Sequence, residues 1–423
     1  DLIAQAVYDQ LGPARQKSMH HRVASYLEIE SALDLERASD MAHHAEKSGD
    51  PALAARAMLS AGRLCLRYYA NDDALSLAQS GLQFAGKLPD TERICLTLEL
   101  SEVQFSAAPV AQWEAEAERY VELAEEALDH GAIPAARLGY HLASSLRWMH
   151  GDWRLARADT LQAERVSRGA TDEEHILGMA ETAKCLALLE RDLLQADAMA
   201  MEAQALSTRK RITCPALAEA SGILRYYEGK YEQAEEALLD ARAQSKVQGD
   251  RIAEYQANEY LFMLNFERGE PDSAQRYCNT MLNIGEKLRE GSELPFAQGL
   301  QALLRFNREG EAPQLPEALQ ALRKVDAKHR LSYILNRLAI LLIDQGDWSQ
   351  AERCAREALE CSLLLDRPSE VTLARIALAS AYRANGKKQD YEHELAAVQD
   401  LCNRGIADWA RQKARVLLKS TQG

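Results

Sequence analysis

The sequence has no paired cysteines: its eight stand singly at positions 65, 95, 185, 214, 278, 354, 361 and 402, with no C-x-x-C. That scatter excludes a disulfide framework and the usual zinc spacings. Within apolar helical stripes such residues act as small buried hydrophobes, which fits a reducing cytoplasm. Aromatics are only 6% of the 423 residues, and 11 prolines and 22 glycines leave long uninterrupted stretches. No apolar run reaches the roughly 18 residues that cross a bilayer, and no signal peptide is visible. Positive charge is scarce too, since 50 basic against 64 acidic side chains give a formal charge of −14. A surface of that sign repels phosphate backbones, so direct nucleic-acid binding is not expected. The one basic run, Arg209-Lys210-Arg211, reads as a solvated connection.

Catalytic signatures are also missing. The glycines of EGKY at 228–231 and NGKK at 385–388 lack the first glycine and the Ser or Thr of a P-loop. There is no G-x-S-x-G elbow, H-E-x-x-H helix or dinucleotide loop. Carboxylates abound, but solvated helix faces supply them freely. The sequence predicts no enzyme, no metal and no cofactor in this chain. The adjacent pairs His20-His21 and His43-His44 point about 100° apart on a helix and read as packing or capping residues.

What is present is a recurring pair of helices. Ser332 to Leu359 reads SYILNRLAILLIDQGDWSQAERCAREAL. Leu335, Leu338, Ala339 and Leu342 recur at helical spacing in an almost continuous apolar segment, which must be buried on more than one side. Gly346 stops it and Asp347 caps the next helix, whose stripe is Trp348, Ala351, Ala355, Ala358 and Leu359. One hairpin cannot bury both of its faces alone. The same punctuation places Ala156 five residues after Gly151, Ala234 after Gly229, Ala274 after Gly269 and Ala351 after Gly346. With Arg191, Gly310 and Gly386 in the same slot, the steps are 40, 38, 40, 41, 36 and 40 residues. Ala163, Ala203, Ala241 and Ala358 follow the ruler alanine by seven, while Met281 and Val398 depart from it. The copy at Gly310 carries Pro313 and Pro316 and lacks the ruler alanine, so a break in the stacking is expected near residues 289–330.

These turns resemble tetratricopeptide repeats, although those repeat every 34 residues and here the period is nearer 40. The resemblance implies an all-α, right-handed α-solenoid in which the first helix of each pair lines a concave groove. At one register of that helix stand His141, Glu181, Glu219, Glu259 and Asn336, with Ser145, Trp148, Cys185, Ile223, Tyr226, Tyr227, Tyr260, Met263 and Phe266 nearby. Glu181, Glu219 and Glu259 would form an acidic ladder flanked by aromatics, suited to a cationic or amphipathic guest. The plainer alternative is that the Glu keep an exposed face soluble and the rings pack the core.

A second resemblance lies upstream. Met19-His20-His21-Arg22-Val23-Ala24, then His43-His44-Ala45-Glu46 with Gly49-Asp50, Ala54 and Ala55, is similar to the region after the ATPase core of large bacterial STAND-class signalling ATPases, the MalT and LuxR-type regulator group. It implies three regions: 1–35, opening with a short helix before Gly12-Pro13, as the end of a winged-helix-like or linker element; 36–135 as degenerate hairpins; and 136–423 as repeats with a C-terminal cap. Because Asp1 is not an initiator, a larger parent is expected, with ATP bound only upstream of this segment. The implied role is a cytoplasmic sensor that binds a protein or small effector in the groove and shifts the parent between resting and active forms. A stand-alone adaptor holding protein tails is the alternative.

Overall fold

The computed structural model describes residues 8, 10–29, 34–288, 291–404 and 406–419, with the side chain of residue 404 undescribed. Residues 1–7 and 9 of the short helix expected before Gly12, and residues 289–290 of the linker, lie outside the described residues. Every regular element among the described residues is an α-helix. The chain folds as two compact units, the first gathering the described residues up to Leu142 with Gly249–Arg251, the second Ala143–Gln248 and the described residues from Ile252 onward.

The first unit holds α1 (Pro13–Ile29), α2 (Leu35–Ser48), α3 (Pro51–Arg67), α4 (Asn71–Ala85), α5 (Asp90–Ala107) and α6 (Trp113–Asp129). Helix α7 (Ile133–Met149) straddles the boundary. Small residues let these helices approach closely: Ala24, Met41, Ala45, Leu53, Ala54 and Ala57 join α1, α2 and α3. Ala55, Leu59, Ala74, Ala78, Leu96 and Leu100 join α3, α4 and α5. Asp50 starts α3 by accepting from the Ala52 and Leu53 amides, with Pro51 at the first helical position. The turn into α4 falls at Tyr68–Ala70, because Tyr69 takes the left-handed conformation (φ 61) and leaves Asn71, Asp72 and Asp73 to the first turn of the helix.

The second unit continues with α8 (Trp153–Ser167), α9 (Asp172–Leu188), α10 (Leu193–Lys210), α11 (Pro215–Tyr227) and α12 (Tyr231–Gln248). Then come α13 (Arg251–Glu267), α14 (Pro271–Leu288), α15 (Glu293–Glu309), α16 (Leu315–Lys324) and α17 (Lys328–Asp344). The chain closes with α18 (Trp348–Leu364), α19 (Pro368–Ala384), α20 (Lys388–Arg404) and α21 (Asp408–Lys419). Consecutive helices pair as hairpins, as in α9–α10, α11–α12 and α17–α18, and hairpins pack on one another through their first helices, α9 on α11, α15 on α17 and α17 on α19.

The α17–α18 hairpin shows how. Gly346 takes φ 82, which a residue without Cβ adopts without strain, and the Asp347 amide returns to the Leu342 carbonyl at 2.9 Å. Asp347 then accepts from the Gln350 amide at 3.0 Å. Ala339, Ala355, Ala377 and Leu378 fill the space between α17, α18 and α19, with Tyr382 and Tyr391 around them. The irregular copy has a short second helix, since α16 has 10 residues where α18 has 17.

One turn departs from the expected register. The left-handed residue after α9 is Glu190 (φ 53), not Arg191, and Asp192 (φ 47) is an extra residue before α10. A side chain therefore occupies the slot that glycine fills elsewhere.

Candidate functional site

The residues that lead to the site are two arginines in an apolar helix. Arg330 and Arg337 lie seven positions apart on α17, hence on one face two turns apart, and both are buried. A buried guanidinium needs matched acceptors, because its desolvation is otherwise uncompensated. Arg330 donates to Glu259 of α13 at 2.9 Å and to Glu293 of α15 at 2.7 Å. Arg337 donates to Glu267 of α13 at 2.9 Å and to both oxygens of Glu370 of α19 at 2.6 Å. Asn336 adds a bond from Nδ2 to the same carboxylate at 2.7 Å. These pairs tie α17 to α13, one full hairpin away.

Burial pushes the Glu370 carboxyl upward, but the charges of Arg337 and Arg367, with hydrogen bonds from Arg337 and Asn336, outweigh it and hold the group below the usual carboxylate range. His329 is held well below its ordinary value, first by burial and then by Arg330 and Arg367. Its ring lies 5.0 Å from that of Trp148.

A second set joins more distant segments. Arg367, in the α18–α19 turn, donates to Glu190 at 3.2 Å and to the Tyr227 hydroxyl at 3.0 Å. The other oxygen of Glu190 accepts from the Ser369 amide at 2.9 Å. Arg191 pairs with Asp366, itself left-handed at φ 48. Beside this clasp, Trp148, Trp153, His329 and Leu365 enclose only about 10 Å³, room for one water at most.

The third component is the C-terminal helix. Trp409 of α21 is buried, its ring 6.2 Å from Tyr226 of α11 and 4.9 Å from the Arg337 guanidinium. Lys413 reaches Glu267 at 3.9 Å, and the Ala407 amide donates to Ser369 Oγ at 2.8 Å.

The positions expected to line a groove divide accordingly. Tyr226, Tyr227 and Tyr260 cluster, with ring centroids 5.6 and 5.9 Å from Tyr226. Burial drives all three phenols up, Tyr227 to about 12. Cys185, Ile223 and Met263 are buried as well, and Phe266 stacks on Phe262 at 5.8 Å. The acidic ladder is not a bare wall: Glu219 is buried and accepts from Lys184 at 2.7 Å, and Glu259 is buried against Arg330. His141, Ser145, Trp148 and Glu181 are half-buried, and Asn336 is fully buried.

The residues of this interior that local spacing missed are Lys184, Glu190, Glu267, Arg330, Arg337, Arg367, Glu370 and Trp409. For Arg337 a signal existed: a cation inside a nearly unbroken apolar stretch demands a partner. Among the described residues no group of three or more His, Cys, Asp or Glu is placed to hold a metal ion, and no helix is long and apolar enough to cross a membrane.

No family profile matches the chain, and no curated protein matches it in sequence. Among solved structures, a Rap protein complexed with competence and sporulation factor aligns with TM-score 0.58 and 12% identity, covering 86% of this chain and 100% of that one. At that identity the likeness concerns the fold, a tetratricopeptide-like all-α solenoid. A Rap conjugation gene regulator of plasmid pLS20 in complex with the Phr* peptide aligns at TM-score 0.47 and 12% identity over 85% of this chain and 97% of that chain. A STAND protein with a tetratricopeptide repeat sensor from Pyrococcus horikoshii gives the same TM-score and identity over 94% and 64%.

Proposed function

We propose that this chain is the sensing arm of a bacterial signalling ATPase or transcriptional regulator, cytoplasmic and without catalysis of its own. A protein segment or small effector binds among the inner helices of the second unit. Its differential affinity for two arrangements of those helices shifts the parent between resting and active forms. The observation that carries this reading is the charged interior around Arg330 and Arg337. Those guanidiniums bridge hairpins that are not neighbours, through ion pairs rather than apolar packing. A charged guest can exchange partners with such pairs, because their desolvation is already met in the closed form. The upstream residues Met19–Ala24 and His43–Ala55 support the signalling-ATPase parent.

A thermal-shift screen of the chain against metabolites and peptide pools, followed by titration of each hit on the Arg330→Ala and Arg337→Ala variants, tests the interior site. Affinity should fall on both variants. Hits that bind both as tightly as the parent chain contradict the reading. The adaptor alternative uses the same interior without a nucleotide-linked switch, and a Walker A motif upstream of Asp1 in the parent separates the two.

A further inference from the structure

Helix α21 has the composition of a ligand rather than of a lid. Its buried face is Trp409, Ala410, Ala414 and Leu417, and its other positions include Arg411, Lys413, Arg415 and Lys419 against the single acid Asp408. Trp409 is seated among Tyr226 of α11, Arg337 of α17 and, through Lys413, Glu267 of α13, so three inner helices converge on one helical turn. Asp408 lies over Gly229, where an added Cβ would meet its Oδ2 at 2.7 Å, so the missing Cβ leaves room for the side chain that opens α21.

The fit is nevertheless incomplete. Trp409 Nε1, Tyr226 Oη and Tyr333 Oη are buried without a hydrogen-bond partner among the protein groups. Lys413 stands 3.9 Å from Glu267, outside hydrogen-bond range. Buried donors left unpaired weaken the resident complex.

We propose that this seat is a docking site for a basic amphipathic helix with an aromatic anchor, and that α21 is its resident occupant, displaced when a partner protein presents a segment of that chemistry. The proposal rests on the binding role argued above for the inner helices and names the guest. Glu267 supplies the acid that a Lys or Arg of the guest pairs with, as Lys413 approaches it now, Tyr226 supplies the stacking face, and the unpaired hydroxyls favour a guest carrying polar groups there. The partner segment competes with a tethered helix, so the free chain is held closed and only a segment that satisfies the open donors opens it.

The test uses the chain ended after Cys402 and a fluorescein-labelled synthetic peptide spanning residues 406–419. By fluorescence anisotropy the peptide should bind the shortened chain at least about tenfold more tightly than the intact chain, and its Trp409→Ala version should lose at least about tenfold. Equal binding of both peptides by a shortened chain whose circular dichroism and melting remain intact would overturn the proposal. So would a dimer of the intact chain that dissociates when α21 is removed, since the occupant would then be a second copy. Should the shortened chain fail to fold, hydrogen exchange on the intact chain decides. Amides of α21 should exchange at least about tenfold faster than those of α19, by local opening; equal protection marks a fixed cap and overturns the proposal. An intact chain that binds foreign peptides while α21 stays protected removes the displacement alone. A folded shortened chain that binds neither its own helix nor any basic aromatic peptide removes the binding role as well.

Discussion

Arg367 and Glu190 are 177 positions apart in the chain and 3.2 Å apart in the fold. Each belongs to a turn between helices, and Glu190 reaches the contact from a left-handed backbone at φ 53. A non-glycine residue held there stores about 1–2 kcal/mol of strain, which persists because the surrounding contacts outweigh it. Glu190 therefore has a different task from the glycines in the matching slots. They end a helix; it also fastens two remote turns of the second unit.

The Ser369 amide reports on that fastening directly. Glu190→Ala removes the carboxylate that accepts from it at 2.9 Å. Exchange of the Ser369 amide should accelerate by about tenfold, the equivalent of one charge-assisted bond. An unchanged rate in a folded variant would show that the contact contributes nothing to closure.

Arg337→Ala should destabilise the second unit by about 3–5 kcal/mol, because Glu267 and Glu370 are left buried without their guanidinium, Glu370 keeping only the Asn336 amide and Glu267 only Lys413 at 3.9 Å. Their side chains are only 4% and 2% exposed, so water does not replace the lost partner. Arg337→Lys keeps the charge but not the planar fork that serves two carboxylates at once, and should fall between the two. Urea denaturation followed by circular dichroism measures both; a loss below about 1 kcal/mol for Arg337→Ala contradicts the burial argument.

A pH dependence is expected in the first unit. His20 Nδ1 lies 2.7 Å from His44 Nδ1, and Tyr8 Oη lies 2.7 Å from His20 Nε2. Burial, then repulsion from His44, His43 and Lys47, lowers the His20 pKa. Burial and His43 lower that of His44 against a small opposing pull from Asp40. Both groups thus bind fewer protons folded than unfolded, so stability rises with pH through this window and is lost as pH falls below about 6.5. The Asp159 carboxyl, raised to about 6 by burial and held back by Arg147, acts in the opposite direction. Because it is unaltered, it cancels when the parent is compared with His20→Gln/His44→Gln. Between roughly pH 7.5 and 5.5 the parent should lose more thermal stability than the double variant. Equal losses would mean the pair does not titrate on folding.

The contact between α6 and α7 in the first unit depends on a missing Cβ. At Gly139 an added Cβ would come within 2.8 Å of Ala124 Cβ and of the Tyr120 carbonyl oxygen, and neither can swing aside. Gly139→Ala should cost about 1–3 kcal/mol in spite of its better helix propensity, measured by thermal or urea unfolding. A neutral or stabilising result would show that α6 and α7 separate without penalty.

The hairpins were legible in the sequence because their signals are local. A turn glycine, a cap such as Asp347 and an alanine five residues on from Gly346 specify a helix pair within about thirty residues. The interior was not legible, because Arg330 finds Glu259 and Arg337 finds Glu267 some 70 positions away, a distance that no periodicity encodes. Glu219 and Glu259 matched the register of a groove wall, yet register fixes the face of a helix and not what the opposite wall contributes. Glu190 rather than Arg191 takes the left-handed turn, and an acidic residue in that conformation has no compositional mark. Trp409 falls in a short terminal helix whose partners come from three separate hairpins.

Charged contacts hold remote segments of the second unit together, Arg367 on Glu190 among them. A double-mutant cycle on Glu190→Ala and Arg367→Ala, read by urea denaturation, measures that coupling with the other contacts of each residue cancelled. The expected coupling is about 1–3 kcal/mol in favour of the pair. A value within about 0.3 kcal/mol of zero would contradict it.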